Sequence, residues 1–152
     1  MTTLEERKSS LARLLANQRF AVLSTQTEDG IHSCLVAFSA NASLRTLLLC
    51  TPKATRKYTN LQGNPNVTLL VHNSSNQGGD ITQAMAVSIT GSAREVDDAD
   101  RQASLDLFLS KHPHMAEFAR TPSVAMIEVK IKRFDMVTDF QDVAILYEKD
   151  LD

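Results

Sequence analysis

Two short apolar runs, Leu44 to Cys50 and Val67 to Val71, stand on either side of the segment 51–66, TPKATRKYTNLQGNPN. Both are bounded and rich in branched residues, which is the pattern of buried strands. A short helix between two strands is the economical reading of the whole stretch. Thr55 can cap its first turn through the hydroxyl, and Gly63 is expected to end it in the left-handed conformation. Arg56 and Lys57 then fall on the first turn, where cations oppose the helix dipole unless an anion is held there too. Free N–H groups, a hydroxyl, a forked guanidinium and an ammonium together suffice for a phosphate. The competing reading is that Lys53, Arg56 and Lys57 simply solvate an exposed turn.

The rest of the chain supplies more strands. Leu4, Leu11, Leu14 and Leu15 share one stripe of an amphipathic first helix. Phe20 to Thr25 reads as a strand, and Glu28, Asp29 and Gly30 form a hairpin turn into a second strand from Ile31 to Ser39. Asn41 to Ser43 turns the chain again, so the first three strands are expected to form an antiparallel meander. After Val71 comes a polar loop from Asn73 to Asp80, too long for a tight hairpin. Met85, Val87 and Ile89 alternate with small polar neighbours in a strand that runs past Gly91 towards Val96. Asp97 to Asp100 places negative charge at the start of a helix whose Leu105, Phe108 and Leu109 share a face, and Pro113 interrupts it. A short helical piece from Met115 to Ala119 precedes a strand with Ile127, Val129 and Ile131 on one face. Val137 with Phe140, then Val143 to Tyr147, add one or two short strands. The expected fold is α+β: six or seven antiparallel strands in a split, nearly closed barrel with helices at the connections.

Composition narrows the classes of function. A chain of 152 residues, 43% hydrophobic and 22% charged, is the size of one ordinary domain, taken here as residues 1–152. A net charge of −2 and a pI near 6.1 offer no polycationic surface, so nucleic acid is not expected as a partner. No apolar run approaches membrane-spanning length and the N-terminal residues are polar, so the expected location is the cytoplasm, without membrane association. Cys34 and Cys50 lie in strand-like runs without Cys-x-x-Cys spacing and are expected to be buried free thiols. Sequons beginning at Asn41, Asn66 and Asn73 carry no glycosylation meaning without an export signal.

The residues from Gly30 through Thr51, Arg56-Lys57, Asn60-Leu61 and Asn64-Pro65 to Gly91 resemble the pyridoxamine 5'-phosphate oxidase-like, FMN-binding split barrels. The resemblance covers roughly residues 15 to 137. It implies a homodimer with FMN in each of two clefts at the subunit boundary. It also implies that Thr51, Arg56 and Lys57, with Thr55 in the same turn, meet the flavin phosphate. The strand carrying Ser33, Cys34, Leu35 and Val36 would pass along the ring, its backbone groups bonding the ring's polar edge. The loop from Asn73 to Gln83 is expected near the flavin or across the dimer, with Asn73, Ser75 and Asn76 as donors, or else simply solvated. Three positions depart from the vitamin-processing enzyme. Leu35 and Ala40 stand where it has an Arg and a Lys, and Ala86 where it has a flavin-contacting Gln. The segment 140–147 also lacks its basic, His-containing motif, so the chain is not expected to be that oxidase.

Other chemistry is sparser. His112 and His114 flank Pro113 with Lys111 beside them, read as a helix-end or surface pair rather than a metal site. His32 and His72 fall at strand ends, where a satisfied polar terminus is the default and a proton donor near a flavin the sharper alternative. Gly-x-Ser-x-Gly, Walker and Rossmann patterns are missing from the sequence. Three functions follow: a flavoprotein oxidoreductase taking electrons from a reduced nicotinamide, NADH or NADPH, or a similar donor; a non-catalytic flavin or haem binder for storage or sensing; and a cofactor-free dimeric interaction module. No residue is assigned as general acid or base.

Overall fold

The computed structural model describes residues 3–139 and 141–152. The expected contribution of Phe140 to a late strand, like Met1 and Thr2, lies outside them. The first helix, α1 (Leu4–Asn17), opens on a capping box in which Thr3 and Glu6 satisfy each other's backbone N–H groups. Leu11, Leu14 and Leu15 are buried as the stripe requires, whereas Leu4, in the first turn, is exposed. Then follow β1 (Phe20–Thr27), β2 (Gly30–Ala37), β3 (Ser39–Ala40), β4 (Thr46–Pro52), α2 (Arg56–Gly63) and β5 (Asn66–His72). The second half runs α3 (Asp80–Gln83), β6 (Met85–Glu95), α4 (Asp98–Lys111), α5 (Ala116–Ala119), β7 (Val124–Thr138) and β8 (Asp142–Tyr147), with 3-10 turns at Pro113–Met115 and Glu148–Leu151.

All the strands join one antiparallel sheet in the order β2-β1-β5-β6-β7-β4-β3, with β8 added beside β7. The fifteen-residue β7 makes this possible: its first half pairs with β4, its second half with β8, and β6 runs along its other edge. β2 and β3 are opposite ends of the strand order, yet Phe38 alone separates them in the chain. A sheet whose two ends are joined by one residue must curl. The result is the α+β split barrel, closed by Phe38, in which β2 keeps one edge outside the ladder.

The expected three-strand meander is interrupted at Phe38. β1–β2 is one hairpin and β3–β4 another, but β1 pairs next with β5 and β4 with β7. The turn read at Asn41 to Ser43 instead joins β3 to β4, with Asn41 Oδ1 accepting from the N–H groups of Arg45 (2.9 Å) and Thr46 (3.1 Å). Leu44, placed in a strand by its apolar character, sits in that turn at φ 60°. Gly63 does not take the left-handed conformation; α2 ends on Asn64 in extended geometry, because Pro65 follows and forces its predecessor there. Gly91 matters for another reason. It stands at a register shift between β6 and β7, where an added Cβ would lie 2.6 Å from the Lys130 carbonyl oxygen and 2.7 Å from Val129 Cγ1.

Two apolar cores result. Inward residues of the strands, including Leu23, Phe38, Leu49, Leu69, Ile89, Val129 and Phe134, pack with Leu61 of α2 and the stripe of α1. Leu48 and Met126 point the other way and pack with Leu105, Phe108 and Leu109 of α4 and with Ala119, so β4 is covered on both faces. Among the described residues no helix is long and apolar enough to cross a membrane.

Candidate functional site

α2 follows β4 after a turn in which two threonines define the geometry. Thr55 is the N-cap, its Oγ1 accepting from the Tyr58 N–H at 3.3 Å and lying 2.8 Å from the Pro52 carbonyl oxygen. The Thr51 hydroxyl is 2.8 Å from that of Thr55, and Thr51 is fully buried. Thr51 thus fixes the cap from beneath rather than presenting its hydroxyl at the surface. Asn60, also buried, ties the helix to the barrel by donating to Thr25 Oγ1 at 3.0 Å.

The cations of this turn divide into two kinds. Lys53 Nζ is 3.7 Å from Glu95 Oε2, and Tyr58 donates to Glu95 Oε1 at 2.6 Å. Arg56 and Lys57 have no ion pair among the described residues. They stand on the first turn, where N–H groups lack intrahelical acceptors, so two uncompensated cations and the positive end of the helix coincide. Glu95 was invisible to the sequence reading because it lies far along the chain, at the end of β6. Its removal of Lys53 from the turn is what leaves the adjacent pair distinct.

Lys57 also connects this turn to β2. Burial raises the Cys34 thiol above its ordinary value while the Lys57 charge opposes that rise, which places the ammonium within electrostatic reach of the strand. Of the four β2 positions named from the sequence, Cys34 and Val36 face inward and Ser33 and Leu35 outward, as the period of a strand demands. The Ser33 hydroxyl is 2.9 Å from that of Ser24 on β1, and Leu35 is 67% exposed. The strand that carries these four has one edge outside the ladder, towards which alternate residues turn their backbone N–H and C=O groups. Both cysteines are free thiols as expected but only partly buried, packed at the margins of the cores; Cys50 is pushed up to about 12 by burial.

The polar loop lies elsewhere. α2 and then the whole of the seven-residue β5 stand between it and the basic turn in the chain, and β5 alone spans about 20 Å at the rise of a strand. Its side chains are occupied in holding its shape: Asn73 Oδ1 accepts from the Met85 N–H at 2.7 Å, and Asp80 accepts from the Ser75 N–H and hydroxyl, each at 3.0 Å, and from the Gln77 N–H. Those bonds hold the Asp80 carboxyl below the usual range. Asn76 sits at the apex with φ 61°, and α3, unforeseen in the sequence, closes the loop.

The outward face of the barrel joins the two regions. Cross-strand neighbours Leu35, Val22 and Leu70 form one row, and Phe20 and His72 continue through Ala86, Val137 and Val143 in the next. Phe20, Leu35, Leu70, Val143 and Ile145 are exposed there. The face bears two shallow hollows of about 210 and 220 Å³, one beside Thr25 and Asn66, the other beside His72 and Val137. His72 Nδ1 accepts from the Ser74 N–H at 3.2 Å, so the neutral ring carries its proton on Nε2. Larger hollows lie away from the basic turn and β2; one of about 570 Å³ is lined by Arg45 and the C-terminal turn, with Arg45 paired to Glu148 and Asp152. His112 is a helix end, as read, but a buried one: its Nε2 is 2.7 Å from the Phe38 carbonyl oxygen, while His114 is exposed. Among the described residues no cluster of three metal-ligating side chains occurs.

Against known proteins, the sequence profile described as pyridoxamine 5'-phosphate oxidase matches residues 8–138. The chain belongs to that family. No curated protein matches it by sequence. Among solved structures, a heme-binding protein from Mycobacterium smegmatis aligns with TM-score 0.82 at 14% identity, over 99% of this chain and 60% of its own. The General Stress Protein 26 from Bacillus anthracis aligns with TM-score 0.71 at 20% identity, over 93% and 98%. A FAD-binding protein from Mesorhizobium loti gives 0.67 at 11%, over 85% and 90%. At these identities the likeness is one of fold. This chain spans less than two thirds of the length of the heme-binding protein.

Proposed function

We propose that this family member binds FMN at a seam between two copies of the chain and serves as an oxidoreductase for a small molecule, with a reduced nicotinamide as electron donor. The observation that carries the reading is the Arg56–Lys57 pair: two uncompensated cations on the first turn of α2, a helix that packs against β1, the strand next to β2. A phosphate dianion matches that charge, and the unpaired backbone groups of β2 match the polar edge of an isoalloxazine. The hollows on the outward face, at about 210 and 220 Å³, fall below the roughly 300 Å³ at which pockets for drug-sized ligands begin. A second apolar face would deepen them, which is why the site is assigned to a dimer.

FMN, when bound, supplies hydride and electron transfer; the protein's part is binding and orientation. Arg56 and Lys57 hold the phosphate, Thr55 and Thr51 fix the turn that presents them, and β2 from Ser33 to Val36 flanks the ring. Asn73, Ser75 and Asn76, beyond the far end of β5, belong to this site through the partner's copy, where Asp80 keeps their loop in shape. Purification without added cofactor, followed by absorption spectroscopy, tests the assignment. A flavin spectrum bleached by NADH or NADPH under anaerobic conditions supports an oxidoreductase. A bound flavin that resists both donors favours storage or sensing, a haem band favours the haem-binding alternative, and protein that takes up neither favours an interaction module.

A further inference from the structure

We propose that the groove between α1, α4 and the β3–β4 turn is a second binding site, for a small monocarboxylate with an apolar body. The groove holds about 330 Å³, and Leu15 and Ala16 of α1, Leu44, and Leu107 and Lys111 of α4 form much of its wall. Among the described residues no carboxylate lines it and Lys111 is its one charged residue. The ammonium donates to the carbonyl oxygens of Leu15 at 2.8 Å and Gln18 at 2.6 Å.

Those bonds satisfy the C-terminal end of α1, which has no basic residue in its own last turn. Two of its three N–H donors are thereby used and the ammonium also rests against the Phe38 ring, so at most one N–H is left for a ligand. The charge itself has no counter-ion: Lys111 makes no ion pair among the described residues and lies 4.0 Å from the centre of the Phe38 ring. The charged and titratable groups facing it are Arg19, at the α1–β1 link, and His112, next along its own helix end, both basic. Burial and the Arg19 charge pull Lys111 down to about 8, the signature of a cation held without a compensating anion.

A single free donor suits one carboxylate oxygen; a phosphate dianion would call for several. The small apolar walls suit a short alkyl chain, and the lone positive charge disfavours amines. This inference is independent of the flavin reading, since the groove shares no residue with the basic turn or with β2.

Calorimetric titration of the full chain with octanoate, octan-1-ol and octylamine tests it. Octanoate is expected to bind once per chain at pH 7, about tenfold or more tighter than octan-1-ol, and to lose about that factor by pH 9.5 as Lys111 gives up its proton. Lys111→Met should erase the preference for octanoate and Lys111→Arg should keep it. Ala16→Phe, on the exposed side of α1, should block both ligands with little change in melting temperature, so the test stands even if the Met variant folds poorly. Equal affinity for octanoate and octan-1-ol, no binding at millimolar concentration, a preference that survives in Lys111→Met, or full affinity in Ala16→Phe would overturn the proposal.

Discussion

At the scale of single residues, Thr51, Gly91 and His112 show what fixes the frame of the site. The Thr51 hydroxyl meets the turn at Thr55 Oγ1, 2.8 Å away, and at the Pro52 carbonyl oxygen, 3.3 Å away, so Thr51→Val should act by loosening the cap. Gly91→Ala is expected to lower stability by about 1–3 kcal/mol, because the new methyl would meet the backbone of β7 rather than a movable side chain. Denaturant midpoints measure this, and an unchanged midpoint would mean that β6 and β7 separate freely there. His112 gives a pH dependence of definite sign. Burial lowers its pKa below 6.5, outweighing the bond to Phe38, so the unfolded chain takes up a proton before the folded one does. Its stabilising contribution is complete above pH 6.5 and is lost as pH falls through the lowered value. Wild-type protein should therefore lose more stability than His112→Gln between pH 7 and pH 5 in parallel urea titrations.

At the scale of elements, α2 is where local sequence and function coincide. Thr55→Ala should cost about 1 kcal/mol by removing the cap and should also weaken FMN binding, since the same turn orients Arg56 and Lys57. Loss of stability with undiminished FMN affinity would detach the cap from the site. This helix, its cap, its flanking strands and its cations were all legible from the sequence, because each depends on residues within one or two turns. The end of the helix was misread at Gly63, where Pro65 overrides the glycine through the residue before it. Non-local pairing was less legible. Nothing between Ile31 and Cys50 reveals that Phe38 carries the chain from one end of the sheet to the other, since that depends on β7 pairing with both β6 and β4. The Lys53–Glu95–Tyr58 contact escaped for the same reason, its partners being brought together only by the closed barrel. The Asn73–Gln83 loop was correctly read as polar, but its side chains are engaged by Asp80 and by the backbone of Met85.

At the scale of the whole molecule, the barrel presents a broad face with Leu35, Leu70, Phe20, Val143 and Ile145 open to solvent, next to a helix end with uncompensated positive charge. In the proposed function, a face of that kind, joined to a site too shallow to enclose a cofactor, is one half of the assembly. Leu35→Glu, at a position already 67% exposed, should leave the fold intact while shifting sedimentation from dimer to monomer and weakening FMN binding about tenfold or more. A Glu variant that remains dimeric and yellow would place the seam elsewhere. The central claim, that Arg56 and Lys57 exist to hold the phosphate of the cofactor, is tested most directly by titrating FMN and riboflavin into wild-type protein and into Arg56→Ala/Lys57→Ala, following flavin fluorescence. Removing two charge-assisted contacts should weaken FMN binding about 100-fold or more and leave riboflavin binding within about threefold. Equal losses for the two ligands, or FMN affinity undiminished in the double variant, would contradict it.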